Sequence, residues 1–164
     1  MALVIKNLKE IFLGSLPLIL LLFLSLTGNS VIDFKIFSIN IHYILVYFWV
    51  LRQPDTLGYG FIFLAGLISD VVFNIPLGVS ALALLIIAAT AAYVRVVTVR
   101  ITLINDWISF FPALLLANLI YFLSLFYSDL AVDYFDMFKN SLLTFVFYPI
   151  LWVPFSLLLK FYRY

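Results

Sequence analysis

Apolar residues in this chain collect into long runs, and short polar stretches divide them. Six runs can be drawn, at about 11–27, 37–51, 57–73, 76–94, 107–127 and 139–159. The breaks TGNSVIDFK, RQPDT, NIP, RVVTVRITLIND and YSDLAVDYFDMF carry turn-forming residues and are short. A membrane-crossing helix needs about 20 mainly apolar residues. The pattern therefore predicts an all-α integral membrane protein with six transmembrane helices, a single polytopic domain over residues 1–164 with no room for a soluble domain.

Loops this short let Lys and Arg set orientation, since positive residues stay on the cytoplasmic side. With the N-terminus inside, Lys6, Lys9, Arg52, Arg95, Arg100, Lys160 and Arg163 fall inside, leaving Lys35 and Lys139 outside. Both termini are thus expected in the cytoplasm. Asp33, Asp129, Asp133 and Asp136 fall in the outer loops. Lys6 and Lys9 before an apolar run give the start a superficial likeness to a signal peptide. The run is long for one and lacks a small-residue cleavage pattern, so retention is expected.

The runs differ in texture. In VIDFKIFSINIHYI polar and apolar residues alternate with a period near two, which predicts an extended or interfacial start and a clean helix from about Ile41 through Trp49. The fourth run is rich in small residues, Gly78, Ser80, Ala81, Ala83, Ala88, Ala89, Ala91 and Ala92. Small residues let helix backbones approach closely in a bilayer, so this helix is expected to pack among the others. The fifth and sixth are rich in Leu and Phe, with Asn118 conspicuous and with Pro149 and Pro154 able to kink the last helix. They are expected to face lipid or a partner.

Within GLISDVVFNIPLG, residues 66–78, Asp70 stands one helical turn from Gly66 on the same face. An ionised Asp at a helix centre costs about 2.5–3.5 kcal/mol on insertion scales, and less near a helix end, where Asp70 falls. Asn74 and Pro76 read as the start of the next helix, Asn74 as a candidate N-cap and Pro76 in the first turn. Asp70 can then accept hydrogen bonds from the free amides of that helix, with Leu77 and Gly78 setting the packing. A proton or ion site, or contact with a partner, are the alternatives.

Composition agrees with the pattern: 66% of residues are hydrophobic and 10% charged, against roughly 25% charged in soluble domains. A net charge of +1 without a basic patch argues against nucleic-acid binding. Cysteine is absent, which removes disulfides and thiolate chemistry. His42 is the lone histidine, too few ligands for a metal site. Tyr43, Tyr47 and Trp49 read as an interfacial aromatic belt. Asp129, Asp133 and Asp136 would share a face if helical, but a solvated loop is the simpler account. Glu10 is the lone glutamate, and no nucleophile–base pair or paired carboxylates at catalytic spacing stand out. Neither enzymatic activity nor a cofactor is expected.

Tyr47-Phe48-Trp49, the turn Arg52-Gln53-Pro54, then Gly66-Leu67, Asp70 and Pro76-Leu77-Gly78 together resemble the bacterial rod-shape-determining MreD family. The resemblance is strongest over residues 41–82 and is one of hydropathy elsewhere. This chain has Asn74-Ile75 where the family often has small residues, and Ser38-Ile39-Asn40 where it often has a proline. The resemblance implies a non-enzymatic inner-membrane scaffold of the cell-wall elongation machinery that maintains rod shape. It implies direct association with MreC, and through it with the peptidoglycan synthase RodA and its transpeptidase partner, with MreB on the cytoplasmic side. It also implies likeness in fold to the substrate-binding S-components of energy-coupling-factor (ECF) transporters. The family pattern falls on Pro54, Gly66, Asp70, Pro76, Leu77 and Gly78. A small-molecule-binding subunit of the ECF type is the rival reading. Such subunits typically carry an Ala-xxx-Ala contact motif in the first helix, and residues 11–27 hold no alanine.

Overall fold

The computed structural model describes residues 2–27, 39–98, 102–128 and 134–163. They form six α-helices: α1 Ala2–Thr27, α2 Ile41–Arg52, α3 Tyr59–Val72, α4 Val79–Val97, α5 Leu103–Tyr127 and α6 Tyr134–Arg163. There is no strand among the described residues. Asp33, Lys35, Ser38, Arg100, Asp129 and Asp133 lie outside the described residues.

The helix α2 is the axis of the bundle. Every residue from His42 through Leu51 is buried, as expected of a helix that is apolar on all sides. Its backbone amide at Asn40 donates to Thr144 Oγ1 (3.0 Å), and further along Phe48 meets Phe155, with ring centroids 5.4 Å apart; α2 and α6 therefore run parallel. Tyr47 meets Phe110 (5.0 Å between centroids) and Arg52 meets Asp106, so α5 runs antiparallel to both. The small-residue helix α4 packs against α2, α3 and α5, burying Ala81, Ala83, Ala88 and Ala91. Leu and Phe side chains of α5 and α6, such as Leu115, Leu119, Phe138 and Leu142, are exposed.

Burial overturns the aromatic-belt expectation. Tyr43, Tyr47 and Trp49 belong to the core, because α2 is enclosed by its neighbours and has no side left to present to a membrane surface. Several helix limits also differ from the pattern reading. The fourth helix begins at Val79, while the fifth begins at Leu103 behind an N-cap at Thr102, whose hydroxyl accepts from the Asn105 amide (3.4 Å). The sixth begins at Tyr134 and continues through Pro149 and Pro154.

Three helices, Val79–Val97, Leu103–Tyr127 and Phe135–Lys160, are long and apolar enough to cross a membrane. Gly14–Thr27, Ile41–Arg52 and Tyr59–Val72 are apolar but shorter. At 1.5 Å per residue, α2 spans roughly 18 Å of a hydrocarbon core about 30 Å thick.

Candidate functional site

The α3–α4 hairpin is built around a carboxylate. Asp70, in the last turn of α3, is fully buried. Its Oδ2 accepts from the Gly78 amide (2.7 Å) and its Oδ1 from the Ser80 amide (2.8 Å). The first amides of a helix have no partner within it, and the dipole there favours a negative charge. Asp70 thus caps α4 from the preceding helix, with one oxygen for each of two amides. Its own carbonyl accepts from the Ile75 amide (3.1 Å), closing the end of α3.

The N-cap position of α4 belongs to Gly78, in place of the expected Asn74. Gly78 has φ of 100° and Asn74 has φ of 53°, which makes Asn74 the non-glycine residue in left-handed backbone among those described. Two left-handed residues reverse the chain between α3 and α4, and glycine and asparagine are the residues that tolerate it best. The turn also displaces Pro76 from the helix: its carbonyl accepts from the Val79 amide (3.3 Å), just before the first turn. Leu77, expected with Gly78 to set the packing, is 71% exposed at the tip.

One turn before Asp70, Gly66 is buried against α4. A Cβ at this position would overlap the backbone of Ala81. Glycine here lets the two helices touch backbone to backbone, which places Asp70 within reach of the α4 amides. Pro54 lies elsewhere, in the α2–α3 turn, where Thr56 Oγ1 donates to the Gln53 carbonyl (2.7 Å). Gly66, Asp70, Pro76, Leu77 and Gly78 therefore form one hairpin, and Pro54 stands apart from it.

A second polar cluster went unmarked in the sequence. At the end of α2, Arg52 forms an ion pair with Asp106 (2.7 Å), in the first turn of α5. The same carboxylate oxygen accepts from Trp152 Nε1 (3.1 Å). The Arg52 guanidinium lies over the Phe48 and Trp152 rings, 5.0 and 5.1 Å from their centroids, a cation–π arrangement on both sides. Below it Tyr47, Phe110 and Tyr148 pack edge-on and stacked, with Phe110 and Tyr148 centroids 4.7 Å apart. This cluster ties α2, α5 and α6 together. Its one sequence signal was a carboxylate closely followed by Trp107 at the head of an apolar run.

The chemistry of both clusters is that of fastening. Both oxygens of Asp70 are engaged by backbone amides, and Asp106 is engaged by a guanidinium and an indole. Asn118 adds a cross-helix bond from Nδ2 to Ser141 Oγ (2.8 Å), and Trp107 Nε1 donates to the Phe145 carbonyl (2.9 Å).

No curated protein and no solved structure matches the chain. The family model of the rod shape-determining protein MreD matches residues 6–162, taking in both clusters. With nearly its whole length covered by that model, the chain belongs to the MreD family of rod shape-determining proteins.

Proposed function

We propose that this protein is a non-enzymatic scaffold of the bacterial inner membrane that maintains rod shape by holding MreC together with the peptidoglycan synthases. In this reading the chain is one polytopic domain that crosses the membrane six times, with both termini in the cytoplasm. MreC is the direct partner, RodA and its transpeptidase partner are reached through it, and MreB lies on the cytoplasmic side. The family match over residues 6–162 carries the proposal. The hairpin supports it, because its charged and backbone groups are spent on fixing a shape and its tip presents the exposed Leu77. Family residues Pro54, Gly66, Asp70, Pro76 and Gly78 then act by holding the surface that a partner meets, and Leu77 by touching it.

Depletion in the native cell tests the reading together with affinity purification of the tagged protein. Loss of rod shape and recovery of MreC with the protein are expected. Unchanged shape and lateral wall insertion, with no MreC recovered, would overturn it.

A further inference from the structure

The helix α3 is too short for the membrane it faces. Its 14 residues rise about 21 Å, against a hydrocarbon core about 30 Å thick. The shorter α2 is enclosed by its neighbours, but α3 shows a side to its surroundings: Tyr59, Phe63, Leu64, Val71 and Val72 are exposed along its length. All five are apolar or aromatic, so on the six-span reading above that side meets lipid.

The close contact with α4 shows at which end the shortfall lies. Gly66 and Ala81 meet backbone to backbone, which fixes the register of the two antiparallel helices. Toward the hairpin, α3 continues about 9 Å past Gly66 and α4 about 3 Å past Ala81. In the other direction α3 ends after about 10 Å, at Tyr59, while α4 goes on for about 24 Å, to Val97. A step of about 13 Å is left at the α2–α3 turn. On the overhanging part of α4, Tyr93, Val96 and Val97 are 70%, 81% and 59% exposed, so no described helix closes over it.

We propose that phospholipid headgroups drop to the level of the α2–α3 turn, so that the cytoplasmic leaflet is locally thin beside α3. The turn at the foot of the step is polar: Asp55 is exposed, with Gln53 and Thr56 half-buried on either side of it. A flat leaflet reaching the end of α4 would sink the Asp55 carboxylate and the turn's backbone into hydrocarbon, where polar groups without partners are costly. Bilayers meet such a mismatch by thinning locally. Two tyrosines mark the same step. Tyr59 begins α3 and Tyr93 lies on the overhang, both exposed, and tyrosine favours the boundary between membrane and water. Counted from the Gly66–Ala81 contact, they lie about 7 Å apart in depth. A flat boundary cannot pass through both. The proposal rests on the six-span reading, since it needs α3 to cross the membrane.

The chain holds no cysteine, so single spin labels attached at Tyr59→Cys and at Tyr93→Cys can report depth. The full-length protein is placed in phosphatidylcholine vesicles, and depth is read by power-saturation EPR with oxygen and a water-soluble nickel chelate. Equal depths are expected, both at the level of the headgroups. A Tyr59 label about 7 Å deeper than the Tyr93 label, as a flat leaflet requires, would overturn the proposal. A Tyr59 label shielded from oxygen and nickel alike would also overturn it, because a second copy of the chain and not lipid would then cover the step. If Tyr59→Cys fails to fold, Gly60→Cys takes its place, at an exposed position with open space beyond the backbone. MreC recovery is a separate measurement, made without either label, so failure here leaves the scaffold reading to be judged by itself.

Discussion

Asp70 is a carboxylate whose two oxygens each serve one amide of the next helix. Asp70→Asn keeps one acceptor and turns an N–H toward the other amide, so one bond is lost, at a cost of about 1–3 kcal/mol. Asp70→Leu leaves both amides unpaired and should cost more. Unfolding in mixed detergent micelles is expected to rank the parent above Asp70→Asn and Asp70→Leu lowest; equal midpoints for all three would exclude the capping role. At the opposite cluster Asp106 is buried and Arg52 partly exposed; removing one partner of a fully buried pair costs about 3–5 kcal/mol, an upper bound for this one, whereas removing both is often much cheaper. Arg52→Gln and Asp106→Asn should each destabilise strongly, and the double variant should fall well short of their sum. An additive result would show that Arg52 and Asp106 do not act as a pair. Asp70 was legible because a carboxylate in an apolar run has to find a partner nearby. Asp106 was not, because Arg52 and Trp152 lie far from it along the chain and its own surroundings read as a loop.

Among the elements, the α3–α4 hairpin depends on two glycines for different reasons. At Gly66 any side chain meets the Ala81 backbone, so Gly66→Ala must push the helices apart and disturb the Asp70 bonds. At Gly78 there is space for a Cβ, but φ is 100°, and a left-handed residue other than glycine costs roughly 1–2 kcal/mol. Gly66→Ala is therefore expected to lower both stability and MreC recovery, while Gly78→Ala lowers stability modestly and leaves recovery intact. The reverse order, measured by co-purification and thermal unfolding, would separate the close approach from the scaffold role. The turn's sequence, Asn-Ile-Pro-Leu-Gly, showed that the chain reverses here. It did not show which residue caps α4, because Asn74 serves equally as an N-cap or as a left-handed turn residue, and only the path of the backbone chooses.

For the molecule as a whole, orientation can be read directly, since the chain contains no cysteine. Single cysteines replacing Asp55, in the α2–α3 turn, and Leu77, at the hairpin tip, lie at opposite ends of α3. In intact spheroplasts a membrane-impermeant maleimide is expected to label Leu77→Cys and to spare Asp55→Cys until the membrane is opened. The opposite pattern would invert the proposed topology. The sequence by itself determined an all-helical membrane chain, the small-residue helix that packs among its neighbours, and the carboxylate hairpin. These follow from period, side-chain size and the cost of an unpartnered charge, all local quantities. Tertiary structure alone decided that α2 is the buried axis and its aromatics are core, and that Arg52, Asp106 and Trp152 meet. Those outcomes depend on which helices become neighbours, and apolar residues suit a protein interior and a bilayer equally well, so hydropathy cannot tell the two apart.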